Sequence, residues 1–249
     1  MPDFRVFIPP LASAAADLTL SGSESHHLVT VNRALSGDPV VAFDGAGNEW
    51  DTTLTVAHRR AAVLTIQRHR QAAARKCEII LVQSMPKGGV MENIVRQATE
   101  IGVSRIVPLQ TARTQVQLDP GRQAKKRDKW EATALEAAKQ CGNPWLPHID
   151  PPREFSDLRE ICSDADLILI ASLEPDSPPL ASVLQTSSAP EKTPRRVVWL
   201  IGPEGDFTPE ETREAIAVGA TPVSLGSLVL RCDTAATYAL AVVNAAFNP

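Results

Sequence analysis

The run Arg196-Val197-Val198-Trp199-Leu200-Ile201 is short, apolar and rich in β-branched residues, and it breaks at once into Gly202-Pro203-Glu204-Gly205-Asp206-Phe207. Such a run suits a strand buried on both faces of a parallel sheet. Gly202 and Gly205 let the main chain turn sharply and approach a ligand with no Cβ in the way. Thr208-Pro209-Glu210-Glu211 then has capping-box spacing with Pro209 at the first helical position, and Gly219 supplies the stop. A second strand-to-helix passage follows: Pro222 to Leu225, a break at Gly226, then a helix capped by Asp233 or Thr234 whose Tyr238, Ala241, Val242 and Ala245 share one face. Two such passages predict an α/β fold with a ligand crevice at the carboxyl ends of its strands. Taken singly, each glycine turn is explained as well by geometry as by binding.

Upstream the rhythm differs. Arg5 to Ile8, Val40 to Phe43, Trp50 to Val56 and Ala62 to Ile66 read as short strands, with Asp44-Gly45 and Gly47-Asn48 in the loop joining the middle pair. This predicts a small barrel, interrupted by a helix at His26 to Leu35 with Leu28, Val31 and Leu35 on one side. Arg68 to Lys76, basic and alanine-rich, reads as the linker between a domain over 1–72 and one over 73–249. Beyond it, Ile79 to Val82, the stripe Met91, Ile94, Val95, Ala98 and Ile101 closed by Gly102, and Arg105 to Leu109 make a β-α-β unit and hence a parallel sheet. A helix from about Lys126 to Cys141 and a strand from Asp166 to Ala171 continue the pattern. The proline-rich stretch Glu174 to Arg196 reads as a surface segment around a brief helix at Leu180 to Leu184.

Composition excludes several classes. Four cysteines form no Cys-x-x-Cys pair and five histidines show no matching spacing, so no metal site is expected. No leader and no apolar stretch long enough to span a bilayer is seen, which predicts a cytoplasmic protein without membrane contact. Pro86-Lys87-Gly88-Gly89 lacks the phosphate-loop frame, and neither a dinucleotide fingerprint nor a Gly-x-Ser-x-Gly elbow occurs. A net charge of −4 confines any nucleic-acid contact to local patches, such as Arg122, Lys125, Lys126, Arg127 and Lys129. A charge cluster of this kind is equally a solvated face.

The phrases Ile201-Gly202-Pro203-Glu204-Gly205-Asp206-Phe207 and Ser224-Leu225-Gly226-Ser227-Leu228-Val229-Leu230-Arg231-Cys232-Asp233-Thr234-Ala235, at this spacing, resemble the signature of the RsmE family of 16S ribosomal RNA uridine-N3 methyltransferases, members of the SPOUT superfamily. The resemblance extends upstream through Arg5-Val6-Phe7, His27-Leu28 with Arg33, Gly37-Asp38-Pro39-Val40-Val41, Pro86-Lys87-Gly88, Ala98-Thr99-Glu100-Ile101-Gly102-Val103, Ile106-Val107-Pro108-Leu109 with Arg113, and Glu136 to Gly142. It implies a parallel α/β sheet with a C-terminal trefoil knot, preceded by a PUA-like β-barrel that docks RNA. It further implies S-adenosylmethionine as cofactor, 16S rRNA or the small ribosomal subunit as partner, and a homodimer.

The cofactor residues implied are Leu173, Gly202, Pro203, Gly205, Leu225, Gly226, Leu228, Leu230, Thr234 and Ala235. Arg231, Asp233 and Glu204 are implied in catalysis, and Arg5, His27, Arg33, Lys87 and Arg113 in RNA binding. Main-chain N–H and C=O groups can recognise an adenine packed on aliphatic side chains. Uridine N3 must be unpaired or flipped out of its stack and must lose a proton, which asks for a base or a stabilising cation. The chain departs from the family pattern at Cys232-Asp233-Thr234, where Thr-Glu-Thr is usual, at Asp206 in place of a glycine, and at Asn143 in place of an arginine. The competing readings are a noncatalytic RNA-binding or ribosome-assembly protein of the same fold, and a SPOUT enzyme acting on another acceptor such as a ribose 2′-hydroxyl.

Overall fold

A computed structural model describes residues 4–10, 16–114, 120–187 and 193–249. The chain forms two compact units, one of residues 1–74 with 135–146, the other of 75–134 with 147–249.

The first unit holds β1 (Arg5–Phe7), β2 (Asp17–Thr19), α1 (Gly22–His26), β3 (Pro39–Phe43), β4 (Asn48–Val56) and β5 (Val63–Gln71). The expected barrel is a five-stranded mixed sheet in the order β1-β3-β4-β5-β2, and no ladder joins its two edge strands among the described residues. Inward residues alternate along β3 to β5, and Val6, Leu28, Val40, Ala42, Leu54 and Leu64 form its core. Asp44 organises the β3–β4 loop by accepting from the N–H groups of Ala46 (2.8 Å) and Asn48 (3.1 Å).

Two expectations fail in this unit. The helix lies earlier than His26 to Leu35: Ser21 caps α1 by accepting from Glu24 N–H, and a π-helical turn runs over His27–Val31. Leu28 is buried but Val31 and Leu35 are exposed, so their spacing was no helical stripe. The linker is also shorter than Arg68 to Lys76, because β5 continues to Gln71 and Arg70 pairs with Asp51 at 2.8 Å on the neighbouring strand. A strand whose outer face is basic shows no apolar alternation at that end.

The second unit contains β6 (Glu78–Ser84), α2 (Val90–Ile101), β7 (Arg105–Gln110), the start of α3 (Pro120–Cys141), β8 (His148–Ile149), β9 (Arg153–Glu154), α4 (Leu158–Ile161), β10 (Leu167–Ala171), α5 (Leu180–Ser187), β11 (Arg196–Ile201), α6 (Pro209–Ala217), β12 (Thr221–Val223) and α7 (Cys232–Phe247). The sheet order is β12-β10-β11-β6-β7-β8, with β9 beside β7, and every pairing is parallel. Both faces are covered, as a parallel sheet requires. Ile79, Leu81, Trp199 and Ile201 face α2, α3 and α7, while Ile80, Val82, Val198 and Leu200 face α4 and α6. Gly102 closes α2 in left-handed backbone at φ 97°, and Thr208 and Glu211 form the reciprocal capping box of α6.

Around these elements several boundaries move. α3 begins at Pro120, β12 ends at Val223, and α5 runs to Ser187; the rest of the proline-rich stretch, 188–192, lies outside the described residues. In the basic cluster Arg127 pairs with Glu131 and Lys129 with Glu92, which suits a solvated face. Arg231, not Asp233 or Thr234, is the N-cap residue of α7. The buried stripe of α7 is Ala235, Ala236, Ala239, Leu240, Val243 and Phe247, whereas Tyr238 is 45% exposed. An alanine-rich helix with apolar residues all round carries too little periodic contrast to point its core face.

Candidate functional site

The loops that follow β10, β11 and β12 leave the carboxyl ends of three adjacent parallel strands and converge on a cavity of about 500 Å³. Three walls can be traced: Ala171 to Leu173 after β10, Ile201 to Glu204 with Asp206 after β11, and Leu225 to Ala235 after β12. The space suits a nucleoside-sized ligand.

Each wall follows from its local sequence. Gly202 sits where the chain must fold back on itself, since a Cβ there would come 2.9 Å from Asp206 Oδ1 and 3.2 Å from Asp206 Cα. Asp206 N–H donates to Pro203 O at 2.9 Å, closing the turn. Asp206 itself holds φ 59°, a left-handed conformation that glycine, asparagine and aspartate tolerate. At Gly226, φ is 127° with open space around the Cα, so only a glycine adopts it without strain.

The fit to a nucleoside cofactor rests on the third wall. Main-chain groups of Leu228, Val229 and Leu230 make no hydrogen bond among the described residues. The side chains of Leu228 and Val229 are 76% and 78% exposed. Free donors and acceptors beside uncovered aliphatic surface are what a purine ring requires. Leu173, Gly202, Pro203, Leu225, Gly226, Leu228, Leu230 and Ala235 all line the cavity. Gly205 and Thr234 do not: Gly205 packs against Arg113, and Thr234 donates its N–H to Asp233 Oδ1 at 3.0 Å. Val90, Ser172, Val229 and Cys232 line it without having been expected there, and Asp206, which stands in the place of a glycine, lines it too. Ser172 could have been found as the residue just past an apolar strand; Val90 reaches the site through strand order, for which its own sequence carries no signal.

The charged groups of the site are Glu204, Asp206, Arg231 and Asp233. Arg231 is exposed and its guanidinium has no partner among the described residues. Glu204 Oε1 accepts from the main-chain N–H of Lys87 at 3.0 Å, tying the loop after β6 to the turn after β11. Burial raises the Asp206 carboxyl above its usual range, and burial together with the neighbouring Glu204 and Asp233 charges pushes the Cys232 thiol up to about 11. Cys232 is therefore an inert thiol at neutral pH.

The RNA candidates separate. Lys87 and Arg113 are exposed on loops at the same sheet edge, and Arg113 also donates from Nη1 to the carbonyls of Gly205 and Phe207. In the first unit Arg33 is exposed at φ 59° and His27 is half-buried. Arg5 does not stand free for a phosphate: it is 12% exposed, pairs with Glu49 at 2.8 Å and lies over the Phe43 ring.

A doubly wound parallel sheet that holds a nucleoside-sized cavity between three main-chain loops, with no metal-ligating cluster among the described residues, defines the class of α/β nucleoside-cofactor proteins. A family model described as an RNA methyltransferase domain matches residues 73–244, and one described as an RNA methyltransferase PUA domain matches residues 20–67. The chain belongs to this RNA methyltransferase family. Proteins named ribosomal RNA small subunit methyltransferase E are similar to it: that of Synechocystis sp. is 34% identical over 97% of this chain and 77% of its own length. That of Bacillus subtilis is 29% identical over 92% and 90%. Among solved structures, a Legionella pneumophila methyltransferase with bound SAM superposes with a TM-score of 0.87 at 31% identity, covering 98% of this chain and 97% of that one. The ribosomal RNA small subunit methyltransferase E of Neisseria gonorrhoeae, bound to S-adenosyl methionine, gives 0.85 at 26% identity over 97% and 96%.

Proposed function

We propose that the chain transfers the methyl group of S-adenosylmethionine to N3 of a uridine in 16S rRNA, acting on the rRNA or the small ribosomal subunit. One observation carries the reading: the third cavity wall joins main chain at Leu228 to Leu230 that is unpaired among the described residues to exposed aliphatic side chains, in a chain that superposes almost end to end on two SAM-bound methyltransferases. Leu225, Leu228 and Leu230 would hold the adenine, with Gly202, Pro203 and Leu173 opposite. The cofactor supplies an electrophilic methyl on a sulfonium, so no covalent enzyme intermediate is needed. The chain's own task is to bring N3 in line at near-attack distance, exclude water and accept a proton. Arg231, exposed on the cavity wall and without a partner among the described residues, stabilises the developing uridine anion; Asp233 orients it or serves as base.

The finer features follow the same family. We read the passage from β12 into α7 as threaded into a trefoil knot, residues 1–72 as the RNA-docking domain and 73–249 as the catalytic one, in a cytoplasmic enzyme. The bare apolar surface of Val229 and Tyr238 fits a second copy of the chain in a homodimer. Two measurements test the function. Calorimetry should show one SAM site per chain, and mass spectrometry of small-subunit rRNA from a strain lacking the gene should show one uridine lighter by a methyl. Full methylation in that strain would refute the assignment.

A further inference from the structure

A second cavity, of about 430 Å³, opens beside α6. Arg113, Thr212 and Arg213 line it. It shares a wall with the cofactor cavity, made of Ala171, Ser172, Leu173 and Asp206. Asp206 is thus the one titratable residue common to both cavities among the described residues.

The Asp206 carboxylate is fixed at this partition. Its Oδ1 accepts from Phe207 N–H at 2.8 Å and fills the space that the missing Cβ of Gly202 leaves. Oδ2 has no hydrogen-bond partner among the described residues. On the far side, Arg113 spends only Nη1 on the carbonyls of Gly205 and Phe207 among the described residues, which leaves further donors for a phosphate. The second cavity therefore offers a cationic group at its rim and an acceptor oxygen where it meets the cofactor site.

Resting on the function proposed above, we infer that this second cavity receives the acceptor uridine nucleotide and that Asp206 accepts its N3 proton. The N3–H bond breaks toward Asp206 Oδ2, and the electron pair left on N3 forms the new bond to the methyl carbon. The carbon–sulfur bond breaks with its pair going to sulfur, so a sulfonium and a carboxylate become a neutral thioether and a carboxylic acid. Solvent takes the proton once product leaves. The same oxygen selects the base, because uracil presents a donor at N3 while cytosine presents a lone pair that a carboxylate repels. Charges facing the group pull in opposite directions: Glu174 raises its pKa and Arg113 lowers it, with burial the largest influence and raising it. Arg213 stands on the nucleotide side, and Glu204, Arg231 and Asp233 on the cofactor side. A carboxyl held above its usual range is a better match to a weakly acidic N–H.

Asp206→Asn tolerates the left-handed backbone, and its amide oxygen can still accept from Phe207 N–H, so it preserves the turn. The test follows methyl transfer to small ribosomal subunits from a strain lacking the gene, across pH, with SAM affinity measured by calorimetry. The variant should bind SAM within about twofold of wild type and lose about 100-fold in kcat near neutral pH. Its rate should climb about tenfold per pH unit toward the range where uracil ionises unaided, while the wild-type rate levels off once Asp206 is ionised. A kcat within twofold of wild type, a parallel pH profile, or a loss confined to SAM affinity overturns the inference. A wild type that binds SAM yet methylates no RNA overturns instead the function on which it rests.

Discussion

Adding one methyl group at Gly202 tests how the cofactor cavity is built. In Gly202→Ala the new Cβ would lie 2.9 Å from Asp206 Oδ1, 3.2 Å from Asp206 Cα and 3.3 Å from Phe207 N. The first contact can be relieved by rotating a side chain; the other two are with main chain and require the turn to open. That turn is held by Asp206 N–H on Pro203 O, by Phe207 N–H on Asp206 Oδ1, and by Arg113 on two of its carbonyls. Losing one or two of these bonds costs about 1–3 kcal/mol. Pro203, Glu204 and Asp206 are cavity wall, so the same distortion should weaken SAM binding by about 5- to 150-fold. Calorimetry reads the affinity and thermal unfolding the stability. The double variant Gly202→Ala with Asp206→Gly should recover only part of the affinity, because it removes the side-chain contact and leaves both main-chain ones. Wild-type affinity in Gly202→Ala, or complete recovery in the double variant, would refute the view that main-chain crowding fixes this wall.

Three further outcomes can be measured. In Glu24→Ala, Lys139 is left 8% exposed without its main partner and Phe7 N–H loses its acceptor, so urea unfolding should show a loss of about 3–5 kcal/mol; a change below 1 kcal/mol would contradict the buried pair. Cys77, Cys162 and Cys232 are pushed up to about 11 by burial from an ordinary 9.0, so the folded state holds these protons more tightly than the unfolded one. Their stabilising contribution is complete below pH 9 and lost as pH rises toward 11, at about 1.4 kcal/mol per pK unit for each thiol; stability that is flat across that window would count against it. Asp233 lies inside the first turn of α7, not at the cap, so Asp233→Asn should cost only about 0.5 kcal/mol of dipole interaction. A fall of 100-fold in turnover with SAM affinity intact would then be catalytic in origin, and wild-type turnover would return Asp233 to helix chemistry.

How much of this could be read from the chain alone depends on whether a feature is local. The capping box at Thr208 and Glu211, the Gly102 stop and the two-faced burial of Arg196–Ile201 are set within a few residues, and each stands where its sequence points. Fully apolar runs such as Leu167–Ala171 gave a strand at nearly its own length. Signals fade where contrast fades: β5 runs on beneath a basic outer face, and α7 is apolar on every side, so neither its burial stripe nor its exposed Tyr238 could be oriented. Non-local features are a different matter. Val90 meets the cavity only because β6, which precedes α2, pairs with β11, and Ala171 and Ser172 meet it only because β10 lies between β11 and β12. Periodicity fixes which residues are strand but not which strands are neighbours. Asp206 combines both limits. Its replacement of a glycine was visible, but that its backbone is left-handed, that its carboxylate fills the hollow over Gly202, and that the residue lines two cavities at once depend on a turn closed by Pro203 and Arg113. A residue that looks like a departure from a binding motif can be the group that most directly shapes the chemistry there.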